Sequence, residues 1–293
     1  MGVAIILIMA SHTLGGYASY GIIGVEWFLL LSAIGQWHSL EKDSNVYRYY
    51  KKRLLRILPT YLIVSIPFLL IKYPSLSFSE FFLRITGIYF FISGNKLFWF
   101  VYLIIICYLI APFYILFVKA NRYSIIVPFV LSVITLIASF YFPRTEILFS
   151  RIPVFLLGMN LAKIVYDDVI ICDKNRVELC HISSIVALFL LLVVYLNNIG
   201  LGAVRFVYFY CAIPSLFFVL NTIKRFSFIN KPLSFLGEIT YEIYLIHQPI
   251  ILSICKKFPL PKAAIIVLSY FIAILGAFLL HLVLKRIKGL LNI

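Results

Sequence analysis

From residue 2 nearly to its end the chain is a succession of apolar runs, near 2–17, 21–38, 55–71, 98–118, 123–142, 149–165, 181–196, 204–221, 235–254 and 263–284. Each approaches the roughly 17–25 residues that carry a helix across a bilayer. In hydrocarbon every backbone N–H and C=O must be satisfied within the chain, which leaves only helices and closed barrels. Strict apolar/polar alternation over about ten-residue segments, the mark of an outer-membrane barrel, is missing. Composition agrees: 63% of residues are hydrophobic and 13% charged, with mean hydropathy +1.05, against roughly 45–50% and 25% in soluble domains. The expected fold is an all-α polytopic membrane protein of about ten transmembrane helices. The stretch "FSEFFLRITGIYFFIS" at 78–93 carries Glu80 and Arg84 and is expected as one extra short helix, spanning, re-entrant or interfacial. No polar stretch is long enough for a separate soluble domain, so residues 1–293 read as a single integral membrane domain.

Lys and Arg number 26 against 11 Asp and Glu, a formal charge of +15. In a soluble protein this excess would point to nucleic acid. Here the cations gather in short loops, where they set orientation, so lipid is the expected surroundings and nucleic acid is not an expected partner. The segment "EKDSNVYRYYKKRLLR" between the second and third runs is assigned to the cytoplasm on the positive-inside rule, which places the N-terminus there too. Ten spans then put both termini in the cytoplasm, in the cell (inner) membrane, together with Lys119, Arg122, Lys163, Lys285 and Arg286. No positively charged leader precedes the first run, and no removed signal peptide is expected. The five cysteines, Cys107, Cys172, Cys180, Cys211 and Cys255, are scattered without metal-ligand spacing, and no metal is expected.

Titratable groups inside apolar runs are the functional candidates, because they are costly there. His12 ends "AIILIMASH", roughly 16 Å along a helix at 1.5 Å per residue. Glu26 lies as far after residue 19 as His12 lies before it. A tight hairpin centred on "GGYASYG" would set the two at similar depth, the carboxylate orienting the imidazole. In "YRYYKKRLLRILP" (47–59), Arg53 and Arg56 are three apart on one helix face and suit bidentate recognition of phosphate oxygens, with Lys52 a further cation beside them. Trp99 and Tyr102 in "LFWFVYL" and Arg151 in "SRIPVFLLG" stand at outer ends of their runs, as candidate contacts to an outer ligand or as an aromatic belt.

Taken together these stretches resemble the membrane-bound acyltransferase-3 family, whose members have ten or so spans and mostly move acetyl groups from acetyl-CoA onto sugars of cell-surface glycans. "AIILIMASH" resembles the family's first-span histidine motif and "GVEWFLLLSAI" its G-V-D-x-F-F-x-x-S-G-F. "YYKKRLLRILPTY" resembles its R-R-x-x-R-I-x-P, "LFWFVYLIIICYLIAPF" its L-W-F-L…Y…P, and "LGEITYEIYLIHQP" its late S-Y-x-I-Y-L-x-H-x-P. Carried over, His12 matches the essential histidine, Glu26 the acidic residue, Arg53 and Arg56 the basic cluster, and Trp99 the outer tryptophan. Two positions depart from the pattern. Met1 stands where the family has an arginine eleven residues before the histidine, so either the reading frame continues upstream to an arginine or this member has lost it. Ala33 stands in "LSAIG" for the usual glycine, a small steric change.

The resemblance implies acyl transfer from acetyl-CoA, a co-substrate made in the cytoplasm, to a hydroxyl of a cell-surface or lipid-linked sugar. His12, with an ordinary imidazole pKa near 6.5, is the expected general base and Glu26 its orienting partner. Lys52, Arg53 and Arg56 hold the CoA phosphates; Trp99, Tyr102 and Arg151 meet the acceptor. A transporter or flippase of lipid-linked sugars would also combine many spans with buried ionisable groups, but internal repeats are not found. An inactive member of the same fold is the other alternative, because of Met1.

Overall fold

The structure, a computed structural model, describes residues 1–13, 21–166, 201–224, 226–257 and 261–290. The expected span at 181–196, Cys172 and Cys180, and most of the "GGYASYG" turn lie outside the described residues. Among those described there is no strand. In chain order the helices are α1 (Gly2–Thr13), α2 (Ile23–Lys42), α3 (Val46–Lys72), α4 (Phe78–Ile85), α5 (Ile88–Ser93), α6 (Trp99–Ala120), α7 (Ile126–Tyr141), α8 (Glu146–Phe149), α9 (Ile152–Tyr166), α10 (Leu201–Lys224), α11 (Asn230–Glu238), α12 (Thr240–Lys257) and α13 (Lys262–Leu290). Helix α3, helix α6, Phe206–Ile223 of α10 and Ala263–Ile287 of α13 are long and apolar enough to cross a membrane; α1 and α7 are shorter apolar helices. The protein is an all-helical, multi-pass membrane protein.

The segment 78–93 folds as α4 and α5, of 8 and 6 residues. At 1.5 Å per residue they are about 12 Å and 9 Å long, so neither crosses about 30 Å of hydrocarbon by itself. Gly87 makes the break: its φ is +82°, and a Cβ there would lie 2.6 Å from the Tyr102 ring. Only glycine fits on both counts.

The chain divides into two compact units. The first comprises Met1–Val25, Arg56–Ile85 and Phe228–Ile293. In it α1 packs on α11 and α12, and α12 on α13. Fully buried Ser269, Ala273 and Ala277 recur every fourth residue of α13, the small-residue spacing that lets membrane helices approach closely. Val267, Phe271 and Leu279 of α13 are exposed, as a lipid-facing side should be. Tyr241 donates to the Ile57 carbonyl at 3.1 Å and Tyr270 to that of Ile6 at 3.3 Å. The start of α2 meets α1 at glycines: Cβ atoms at Gly24 and Gly21 would strike the carbonyl oxygens of Ala4 and Leu7.

The second unit comprises Glu26–Leu55 and Thr86–Ser227. Here α9 packs against α6 and α7, and α7 against α10. A Cβ at Gly158 of α9 would lie 2.7 Å from the Cβ of Ala33, so the alanine that departs from the family pattern is accommodated by a glycine opposite. Asn160 ties α9 to α6 and the turn after it: its Nδ2 donates to Tyr114 Oη at 2.9 Å, and Ser124 Oγ donates to its Oδ1 at 2.7 Å. A polar cluster whose members satisfy one another is tolerated in an apolar interior and fixes how its helices meet.

Candidate active site

His12 sits one residue before the end of α1, with its side chain exposed. Its neighbours turn away from it chemically, because Ser11 Oγ donates to the Ile8 carbonyl (2.7 Å) and Thr13 Oγ1 to that of Met9 (3.1 Å). The ring beside His12 is His247 of α12, centroid to centroid 5.2 Å with 46° between planes. His247 is 1% exposed. Two imidazoles thus face each other within the first unit.

His12 and Glu26 would stand at one depth in a hairpin centred on residue 19. The observed register is different, with Gly24 against Ala4 and Gly21 against Leu7. The glycines set it, since a Cβ at either position would strike the facing carbonyl oxygen. The ion-pair partner of Glu26 is Arg151, at 3.2 Å from Nε to Oε1, and both side chains are essentially inaccessible. Arg151 Nη1 also donates to the Ile147 carbonyl at 2.9 Å, and its guanidinium stands 4.8 Å from the Trp99 ring centroid. Arg151 is therefore held inside a cluster of α2, α6 and α8. Trp99 is half-buried over it. Phe98, just before, is buried with φ +58°, a left-handed backbone that costs a bulky residue about 1–3 kcal/mol and persists only where its surroundings impose it. Tyr102 packs beneath Gly87 and beside Phe90, ring centroids 6.1 Å apart.

The basic residues after α2 build a second feature, within the second unit. A cavity of about 730 Å³ opens between α2 and the start of α3, lined by Gly35, His38, Ser39, Lys42, Asp43, Arg48, Tyr49, Lys52 and Arg53. The spacings explain it: 35, 38, 39 and 42 share one face of α2, and 48, 49, 52 and 53 one face of α3. Asn45 caps α3, its Oδ1 accepting from Arg48 N at 2.9 Å. Tyr49 donates to Gln36 at 3.1 Å and Tyr50 to the Leu109 carbonyl at 2.9 Å, which fixes α3 against α2 and α6. The Asn45 N–H and the Arg48 guanidinium, 2.7 Å away, hold the Asp43 carboxyl below the ordinary carboxylate range.

Arg53 is the unusual member. It is 8% exposed, its guanidinium 5.4 Å from the Tyr49 and 5.8 Å from the Tyr108 ring centroid. Among the described residues it forms no ion pair, and its Nε has no hydrogen-bond partner. Lys52 is exposed at the same wall, whereas Arg56 opens the other unit and is exposed. Sequence reasoning singled out Lys52 and Arg53 but passed over His38, Lys42 and Arg48. The signal was present as two i,i+4 pairs, 38/42 and 48/52, on either side of a three-residue turn. It also passed over His247, although that residue stands in the quoted "YEIYLIHQP", because no partner for it was visible in the sequence.

No curated protein and no solved structure matches the sequence. A family model described as an acyltransferase domain matches residues 2–282, which takes in the histidine pair, the buried Glu26–Arg151 cluster and the basic cavity alike. By that match the chain belongs to the acyltransferase-3 family of membrane acyltransferases.

Proposed function

We propose that the protein moves an acyl group, most simply acetyl, from acyl-CoA to a hydroxyl of a cell-surface or lipid-linked glycan. The cavity between α2 and α3 is the cytoplasmic seat of the CoA phosphates. The observation that carries this reading is Arg53. A buried guanidinium without a counter-ion is costly, and one lining a cavity beside Lys42, Arg48 and Lys52, with Asp43 the one carboxylate, is suited to a polyanion that arrives with its own charge. CoA is such an anion, and a planar guanidinium can bond bidentately to two oxygens of one of its tetrahedral phosphates.

A thioester is already activated, so the chemistry asked of the protein is small. As the acceptor oxygen attacks the thioester carbonyl, its proton passes to His12; the C–S bond then breaks, and the imidazolium returns the proton to the CoA sulfur. His12 fits because it is an accessible base at the end of its helix. Trp99 and Tyr102 are the proposed contacts to the acceptor sugar.

Two substitutions test the donor site. Gly35 is exposed in the cavity wall, and a Cβ there meets nothing within 4 Å, so Gly35→Phe plugs the cavity without crowding the core, and phenylalanine is a better residue than glycine in a helix interior. Arg53→Ala removes charge-assisted hydrogen bonds worth about 1.5–3 kcal/mol each. In titration calorimetry on the purified protein, each variant is expected to raise the Kd for acetyl-CoA at least tenfold, a factor worth about 1.4 kcal/mol. Wild-type affinity in both variants places the donor elsewhere.

A further inference from the structure

The side chain of His247 has one hydrogen-bonding arrangement open to it. Its Nδ1 lies 2.7 Å from the carbonyl oxygen of Tyr244 and 3.1 Å from that of Ile243. Carbonyl oxygens only accept, so Nδ1 carries the hydrogen. In the neutral ring the other nitrogen, Nε2, is then a lone-pair acceptor. That atom is buried and has no hydrogen-bond partner among the described residues. An unsatisfied buried acceptor is costly, and native structures rarely keep one without a use. The neighbouring ring, at 5.2 Å between centroids, is that of His12. His12 is exposed, whereas His247 is pinned to its own helix by two carbonyls.

Resting on the assignment of His12 as base, we propose that His247 positions it: Nε2 of His247 accepts the N–H of whichever His12 nitrogen faces away from the acceptor hydroxyl. A histidine base needs one nitrogen free as a lone pair, and which one is free is set by the hydrogen bond the other makes. His247 Nε2 takes the His12 N–H, fixes the tautomer and leaves the second His12 nitrogen to receive the hydroxyl proton. When that proton arrives, the same bond becomes charge-assisted and shortens. No proton is transferred to His247, and the step balances as before: O–H proton to His12, then to the departing sulfur. The carboxylate that usually does this for a catalytic histidine is replaced by a neutral ring.

The first test reads the rings directly and does not depend on activity. The chain has five histidines, so ¹⁵N-histidine protein in detergent gives a side-chain spectrum that single His→Gln variants assign. The expected result is His247 as the Nδ1–H tautomer, with an Nε2 shift typical of a hydrogen-bonded acceptor that moves to the unbonded value in His12→Phe. A protonated Nε2, or an Nε2 shift indifferent to His12→Phe, overturns the proposal. The second test is kinetic. His247→Gln keeps an acceptor oxygen near the Nε2 position, His247→Asn places its amide near Nδ1, and His247→Leu keeps neither. Expected are a kcat at least thirtyfold lower in the Leu and Asn variants with KM for both substrates within threefold, and a kcat within tenfold of wild type for Gln. Equal kcat in all three, whether high or low, overturns the positioning role. A wild-type protein that shows the ring-to-ring bond but no acyl transfer would sink the catalytic reading while leaving the hydrogen bond established.

Discussion

Replacing His12 by alanine is expected to lower acyl transfer by about 10²–10⁴-fold, the usual effect of removing a general base, while the protein still inserts and folds. Folding survives because the side chain is exposed and the flanking Ser11 and Thr13 hydroxyls bond to α1 itself. The measurement is transfer of labelled acetyl from acetyl-CoA to glycan, with the thermal midpoint in detergent as the control. Exposure adds a finer expectation. Free imidazole should reach the gap left by the ring and restore part of the rate in His12→Ala, but none in Arg53→Ala, whose defect is in binding the donor. A His12→Ala protein that transfers at near-normal rate would make the histidine structural.

Glu26→Ala is expected to be among the most destabilising single changes, at about 3–5 kcal/mol, because it strands a guanidinium that is 1% exposed. Arg151→Ala should cost as much for the mirror reason. Glu26→Leu together with Arg151→Met should recover most of that loss, since apolar residues of similar volume often replace a buried ion pair at little cost. Denaturation midpoints of the three proteins in the same detergent check this; single variants as stable as the wild type would mean the pair contributes little. Activity of the double variant then decides what the carboxylate is for. Retained transfer makes the pair a brace for α2 against the turn between α8 and α9, and lost transfer in a stable protein gives Glu26 a chemical task.

What the sequence could reveal was set by the range of the interactions involved. Helical class and membrane residence follow from composition and run length, which are local, and so did the weakness of 78–93, broken where Gly87 takes a positive φ. Partners of titratable groups are long-range. His12 and Glu26 looked equally deep only because the turn was centred on residue 19, whereas Gly21 and Gly24 draw α1 and α2 into another register. Arg53 and Arg56 looked equivalent because they are three residues apart, yet such positions differ by about 60° around a helix. That is enough to bury one guanidinium between Tyr49 and Tyr108 and leave the other in the open.

The seam between α12 and α13 has a weakness that one hydrogen-bonded pair repairs. Ser269, Ala273 and Ala277 are nearly interchangeable, so sliding α13 by one turn, about 5.4 Å, sets small residue over small residue again with little loss of contact. Apolar lipid gives no preference between such settings, because the helix is equally well solvated in each. His281 is the next position in the same four-residue series, and its Nδ1 meets Glu242 Oε1 at 3.0 Å. Slipped by a turn in the direction that brings Ala277 to the carboxylate, the pair is lost. The pair therefore acts as an index mark on a scale of identical divisions, as a lone polar residue does in a coiled coil. By holding α12 at one setting, it also fixes the height at which His247 is presented.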